Sequence, residues 1–492
     1  MKKLLFYLLT LILVFNMFAC GTGTGSDEES KPAAATDPVE DPNGLKVGFG
    51  RESIVPDVNG VQIAGGDASA RISDGYRDEV ATTCISIREG DETILLYTVD
   101  LITVDLNTYK AQKYIAEATG ITEENIILNA THTRSGVSIR SDWDGVGAYC
   151  TKFYDACVTA AQQALADLSA ATMYFGSTMT ENMVFVRHYR MNDGSTYGNG
   201  HGTTASGYKE HLYDSDGELQ VIKFDRSAGG KKDVVLMNLG AHATMMNSIA
   251  PNTISADWPY NARTYVEGNS NSLCAVFEAA AGDQIPNSNI TALAPYGNKY
   301  PQFGEKIGQY CTDVLNSQMT QATGTGIQLR VHNYTAPSMK EGLDDPTLFS
   351  QAVEINSCAM EKGSSHAETT ALVAQYGFSS VYEATGLVGR VNHPETFSME
   401  LHLMSIDGVS FIFAPFEMFG VTGREIKDTS PYDMTFIITC SENATGYHMG
   451  YMPHEYACEE GFYEYDVTKF ARGTAEDLAK TYVQLLTEMK GT

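Results

Sequence analysis

Four short polar clusters, each following an apolar run, carry the residue types able to do chemistry in this chain. Asn129-Ala-Thr-His-Thr-Arg-Ser-Gly136 puts His132 in a turn rich in small and hydroxyl side chains. A histidine leaving a buried strand can aim one ring nitrogen into a cleft. Gly240-Ala-His-Ala-Thr-Met-Met-Asn247 repeats that arrangement around His242 and is followed by Ile254-Ser-Ala-Asp-Trp258. Phe277-Glu-Ala-Ala-Ala-Gly-Asp-Gln-Ile-Pro-Asn287 holds a Gly-Asp pair suited to a sharp bend. Ala414-Pro-Phe-Glu-Met-Phe-Gly-Val-Thr-Gly-Arg424 leads, one strand later, to Tyr447-His-Met-Gly-Tyr-Met-Pro453. Taken singly, these are ordinary features: a satisfied turn histidine, a helix-starting Glu417, a packed Tyr451 with its hydroxyl bonded. Four such clusters at four strand ends point to one shared site.

The elements that must position them alternate along the chain. Apolar runs of strand length occupy Ile94–Val99, Ile126–Asn129, Val234–Leu239 and Leu273–Phe277. Amphipathic spacing predicts helices over Thr108–Thr119, closed by Gly120, and over Tyr149–Ala166. Further helices are expected at Pro346–Glu361, Ala367–Tyr376 and Ala475–Met489, and a strand pair at Ser398–Leu403 and Val409–Ala414 turns at Asp407-Gly408. Strands interleaved with helices define an α/β domain with a mixed β-sheet core flanked by helices. In such folds, polar residues at strand ends gather at one sheet edge, where ligands bind.

Composition narrows the partners. The 492 residues are 43% hydrophobic, enough for a large core, and carry a net charge of −28. A surface so acidic repels nucleic acid and acidic headgroups. At the N-terminus, Lys2 and Lys3 precede an apolar run from Leu4 to Val14. That run reads as a signal peptide over residues 1–19, too short for a comfortable membrane span. Met17-Phe-Ala-Cys20 resembles the bacterial lipobox, so Cys20 is expected to carry lipid and anchor an exported protein at the cell surface or a periplasm-facing membrane. The alternative is plain secretion. Residues 20–43 are small, acidic and proline-bearing, a tether rather than a folded segment. Residues 44–492 are then expected to form a single domain, the one that carries the four clusters. The cysteines after Cys20 are scattered, which excludes a disulfide scaffold; one or two bridges are possible, with Cys440–Cys458 favoured.

The motifs in order carry a resemblance. His-Thr-x-Ser-Gly, Gly-x-His-Ala-Thr-x-x-Asn, Ile-Ser-x-Asp, Gly-Asp-x-x-Pro-Asn, Pro-x-Glu-x-x-x-x-x-Gly-Arg and Gly-Tyr-x-Pro are similar to the catalytic domain of the neutral/alkaline ceramidase family. Val47-Gly-Phe-Gly-Arg-Glu-Ser-Ile-Val-Pro56 resembles its first strand, and Gly461–Thr474 its final turn and helix. The immunoglobulin-like domain of the longer ceramidases has no counterpart in the sequence. The resemblance implies a zinc ion held by His132, His242, Glu417 and Tyr451. Two imidazoles and a carboxylate leave zinc a net positive charge, which acidifies a bound water to a pKa of about 7. Tyr451 is either a fourth ligand or a donor to an oxyanion. Asp257 is either a partner to a zinc histidine or a turn-capping acid. Arg187, rather than Arg190, resembles the family arginine that lines the substrate cleft.

Two departures qualify the expected chemistry. The family's first motif usually reads His-Thr-His-Ser-Gly-Pro, and here Arg134 replaces the second histidine and Val137 the proline. Arginine cannot act as a base near neutral pH. Arg134 either binds an anionic group of the substrate or supports its loop. Ile285 stands where the family has serine and offers no hydroxyl; Ser288 lies three residues on. The expected function is a zinc-dependent hydrolase cleaving an amide bond, in an N-acyl sphingoid or another lipid-like N-acyl substrate, with zinc-bound water. The alternative is a surface lipoprotein that binds a lipid or glycan without turnover.

Overall fold

The computed structural model describes residues 44–65, 71–140, 143–198, 207–287, 299–324, 326–442 and 449–491. Residues 1–43, which hold the expected signal peptide, Cys20 and the whole expected tether, fall outside them, as do Ser288, Tyr447 and His448. Three mixed sheets organise the fold. The first runs in the order Ile126–Ala130, Glu92–Val99, Ala81–Glu89, Lys46–Ser53, Ser169–Ala170. The second runs Ser272–Glu278, Asp233–Leu239, Glu218–Asp225, Thr172–Met179, Thr320–Gln321. The third runs Ile327–Pro337, Thr396–Ile406, Val409–Phe413, Met434–Ile438.

Each sheet ends in one parallel pair: Glu92–Val99 with Ile126–Ala130, Asp233–Leu239 with Ser272–Glu278, and Val409–Phe413 with Met434–Ile438. The strands of these pairs are mostly apolar and almost wholly buried because both faces are covered. In the first sheet, Ile85, Ile87, Ile94 and Leu96 face a core shared with Ile222, Leu236, Phe277, Phe411 and Phe436 of the other two sheets. Their neighbours Cys84, Leu95, Tyr97 and Val99 face the opposite way, into a second core. There they meet the helices Leu106–Thr119 and Val146–Ala166 through Ala111, Ile115, Phe153 and Ala160. Helices Trp258–Asn269 and Lys299–Asn316 cover the second sheet with Trp258, Phe303 and Ile307. Helix Thr474–Lys490 covers the third with Leu478, Tyr482 and Leu486. Sheets therefore meet in the middle and helices lie outside.

Local sequence explains the close approaches. Gly48 and Gly50 lie under helix Val146–Ala166, where a Cβ would overlap the carbonyl oxygens of Ala164 and Ala160. Residues Pro42–Thr492 cluster as one compact unit. The expected strands and helices are present, most of them extended by one to three residues, helix Ala367–Tyr376 with the bounds expected, and the strand expected at Val409–Ala414 ending at Phe413. The hairpin turn at Asp407-Gly408 has both residues at positive φ, 45° and 84°, as a two-residue hairpin loop requires. Other elements escaped the sequence reading. The long strand Ile327–Pro337 has only Tyr334 and Ala336 buried, its other residues being half-exposed or exposed, so its apolar signal is weak. The favoured Cys440–Cys458 bridge is corrected: both are free, buried thiols, as are Cys84, Cys150, Cys157, Cys274, Cys311 and Cys358. Among the described residues no helix is long and apolar enough to cross a membrane.

Candidate metal centre

The parallel pairs bring the four clusters together. His132 follows strand Ile126–Ala130, His242 follows Asp233–Leu239, and Glu417 follows Val409–Phe413. The main chain around His132 is tied down on both sides: Thr131 Oγ1 donates to Asp100 Oδ1 at 3.1 Å, and Thr133 Oγ1 to the Ser255 carbonyl at 2.8 Å. His132 itself sits at φ 59°, a conformation a non-glycine residue holds only when its surroundings fix it. Glu417 and Tyr451 are directly opposite partners in a short parallel ladder, Glu417–Met418 with Tyr451–Met452. That register explains why two residues 34 positions apart in the chain share one site.

His132, His242 and Glu417 are all buried, and their ligand atoms lie within 4.8 Å of one another. The Nε2 atoms of His132 and His242 approach the same oxygen, Glu417 Oε2, at 3.2 and 3.1 Å. The opposite ring nitrogens face main-chain carbonyls: Nδ1 of His132 is 2.6 Å from the Ile102 oxygen, and Nδ1 of His242 is 3.1 Å from that of Gln284. With each Nδ1–H donated to a carbonyl, both Nε2 atoms present lone pairs. Burial holds the His242 imidazole down at about 4, outweighing the pull of the Glu417 carboxylate, so it is neutral at pH 7. Two lone pairs and a carboxylate oxygen thus converge, and the Arg134 Nη2 donor stands at their edge, 3.4 Å from His132 Nε2 and 3.8 Å from Glu417 Oε2. That arrangement is costly for a dry site and suited to a cation, so these residues fit a metal ion.

Tyr451 closes one side. Its phenol oxygen accepts from Arg134 Nη2 at 3.1 Å and from Arg187 Nη2 at 3.3 Å. Burial, followed by the charge of Glu417, pushes the phenol pKa up against the opposing pull of both arginines, so it keeps its proton. Arg187 is fixed in turn by Glu464, whose Oε1 lies 2.7 Å from its Nε and 2.6 Å from its Nη2. Burial works against the charged Glu464, but Arg187 and His188 outweigh it and hold its carboxyl at about 2. His188 Nε2 lies 3.0 Å from Glu464 Oε2, and its Nδ1 lies 3.1 Å from the Tyr456 hydroxyl. Tyr456 donates to Asp283 Oδ2 at 2.7 Å, and Asp283 Oδ1 accepts from the Gly420 amide, also at 2.7 Å. A buried polar chain therefore runs from the phenol to the turn just after Glu417.

The structure brings His132, His242, Glu417, Tyr451, Arg134 and Arg187 to one place. Arg190 instead faces Glu210 on a more exposed strand. Asp257 caps helix Trp258–Asn269, accepting from the backbone amides of Trp258 and Met246, both at 2.6 Å. Of its two sequence readings, the turn-capping acid describes these bonds. Ile285 lies in strand Gln284–Pro286, opposite Phe185. Sequence reasoning missed Glu464, His188 and Tyr456. Glu464 falls in the Gly461–Thr474 segment matched only as a turn and helix, and His188 stood beside Arg187 without a chemical cue. Glu278, at the end of strand Ser272–Glu278, also went unremarked. Burial, then the neighbouring Glu417 and Asp257, push its carboxyl well above the usual range.

The α/β fold is that of neutral ceramidase structures. The chain is similar to the crystal structure of neutral ceramidase from Pseudomonas aeruginosa, with a TM-score of 0.67 and 15% identity over 91% of this chain and 75% of that one. A ceramidase complexed with C2 gives a TM-score of 0.66 at 16% identity, with the same coverage of each chain. The sequence matches no protein-family model and no curated protein sequence.

Proposed function

We propose that the protein is a zinc-dependent hydrolase that cleaves the amide bond of an N-acyl substrate. The observation that carries this reading is the convergence of two Nε2 lone pairs on Glu417 Oε2, at 3.2 and 3.1 Å, beside a phenol held by two arginines. Two histidines and a carboxylate are a donor set that suits zinc, with Tyr451 next to them. Zinc bound there supplies a Lewis acid and lowers the pKa of water to about 7.

The chain's own residues supply the rest. Carbonyls of Ile102 and Gln284 fix the tautomers of His132 and His242. Arg134 and Arg187 both donate to the phenol oxygen, so the Tyr451 O–H is free to point at the scissile carbonyl oxygen as negative charge develops there. Glu464 keeps Arg187 on the phenol. Hydrolysis joins the oxygen of water to the acyl carbon, breaks the C–N bond and leaves a proton on the amine. The reading extends to an exported chain held to a membrane by lipid on Cys20, acting on a small lipid-like molecule rather than on nucleic acid.

Metal analysis of the purified protein beside its His242→Ala variant tests the proposal. About one zinc per chain, lost in the variant, is the expected result for a site of this donor set. Absence of zinc from the wild type, even after zinc is supplied, ends the hydrolase reading and leaves a ceramidase-like fold used for binding.

A further inference from the structure

A cavity of about 390 Å³ opens beside the metal centre, and Arg134 and Arg140 both line it. Its size suits part of a small molecule, and its walls include Leu101, Ile102, Val137 and Ile139. Arg134 uses one nitrogen only. Its Nη2 contacts Tyr451 and, at 3.4 Å, His132 Nε2, and its distance to Glu417 Oε2 is 3.8 Å. Its Nε is buried without a hydrogen-bond partner, and Nη1 has none among the described residues. The Thr103 hydroxyl, on the same cavity, is buried and unpartnered as well.

The charge here runs against that of the whole chain. Arg140 lies close enough to Lys469 that, after burial, its charge helps push the Lys469 ammonium pKa down. Asp105 is the acid on the cavity wall: its Oδ1 caps helix Leu106–Thr119 through the Asn107 and Thr108 amides at 3.0 and 3.4 Å, and its charge also acts on Arg140. The Arg134 main chain is anchored by Arg71, which donates to its carbonyl oxygen. Spare guanidinium donors, an orphan hydroxyl and a held backbone, in a chain of net charge −28, make a local anion-binding site.

From this we infer that the substrate carries an oxyanion close to its scissile bond, held between Arg134 and Arg140. This rests on the hydrolase reading above and names its substrate class: an acidic N-acyl compound, with a carboxylate or phosphate-type group on the amine side or at the acyl end. The Arg134 guanidinium then ties two tasks together, with Nη2 on the Tyr451 phenol and the remaining donors on the substrate anion.

Titration calorimetry on the full chain tests it with probes that resist hydrolysis. N-hexylsulfonylglycine is compared with its neutral methyl ester and with the aminomethylphosphonate analogue. The expected result is binding of at least one acid about tenfold or more tighter than the ester, with the gap narrowing as salt rises. Arg140→Ala, at an exposed residue, is expected to shrink that gap severalfold and leave ester binding unchanged, and Arg134→Gln is expected to shrink the gap as well. A tight carboxylate points to an acyl amino acid, a tight phosphonate to a phosphate ester, and both support the site. Equal binding of acids and ester, or a gap that survives both variants, overturns it. Parallel rates on N-hexanoylglycine and its methylamide separate the two proposals. If neither is cleaved while the binding gap persists, the hydrolase reading fails alone. If both are cleaved equally and the probes bind equally, the anion site fails alone.

Discussion

Replacing Glu464 with glutamine removes one charge from the buried chain behind Tyr451 and nothing else of size. Arg187 and Glu464 are paired through two nitrogens at 2.7 and 2.6 Å, with the carboxylate side chain fully buried and the guanidinium nearly so. Taking one partner from such a pair strands the other charge, at a cost of about 3–5 kcal/mol. The titration of Glu464 gives a similar figure. A carboxyl moved from an ordinary value of about 4.3 to about 2 is worth roughly 3 kcal/mol at neutral pH. Because the folded value lies below the unfolded one, this stabilisation is complete above about pH 5 and is lost as pH falls towards 2. At about 2.1 cal/mol/K per residue over roughly 450 residues, 3 kcal/mol lowers the melting midpoint by about 3 °C. Differential scanning calorimetry of wild type and Glu464→Gln, from pH 8 down to pH 3, is the assay. The difference should stay constant from pH 8 to 5 and shrink below pH 4. A loss under about 1 °C at pH 7, or one that does not shrink in acid, would refute the claim that Glu464 is ionised and paired with Arg187.

Two further outcomes follow from the site. Tyr451→Phe keeps the Glu417–Tyr451 ladder and is expected to retain bound metal while kcat falls about 10²–10³-fold, the usual cost of losing one oxyanion donor; metal analysis with steady-state kinetics checks both, and loss of the metal instead would make Tyr451 a ligand. Asp257→Ala is expected to leave metal content unchanged and to cost about 1–2 kcal/mol of stability through loss of the helix cap; chemical denaturation with metal analysis decides it, and metal loss at intact stability would restore Asp257 to the metal centre.

Much of the local structure was legible in the sequence. The apolar runs before Asn129, Gly240 and Glu278 marked strands buried on both faces, and the small residues after them marked turns. The histidines, Glu417 and Tyr451 were found because each follows such a run or turn, and motif order supplied the grouping. Gly48 and Gly50 were visible as residues, but the helix that presses on them was not assigned to that contact.

Convergence belongs to the tertiary structure. Glu464 reaches Arg187 across 277 positions, Arg134 reaches Tyr451 across 317, and no local pattern encodes such distances. They depend on register between sheets: Glu417 lies opposite Tyr451 only because two short strands pair in parallel, and Arg187 arrives through the pairing of Phe185 with Ile285. Burial also decides chemical state. Glu278, Glu417 and Glu464 are the same residue type in the sequence, yet one has its carboxyl pushed up by burial and nearby acids, one faces two imidazoles, and one is ionised between Arg187 and His188. The sequence by itself determined the strands, the turns and the stock of chemical groups. Only packing determined which groups meet, because desolvation and neighbouring charge arise where distant segments close on one another.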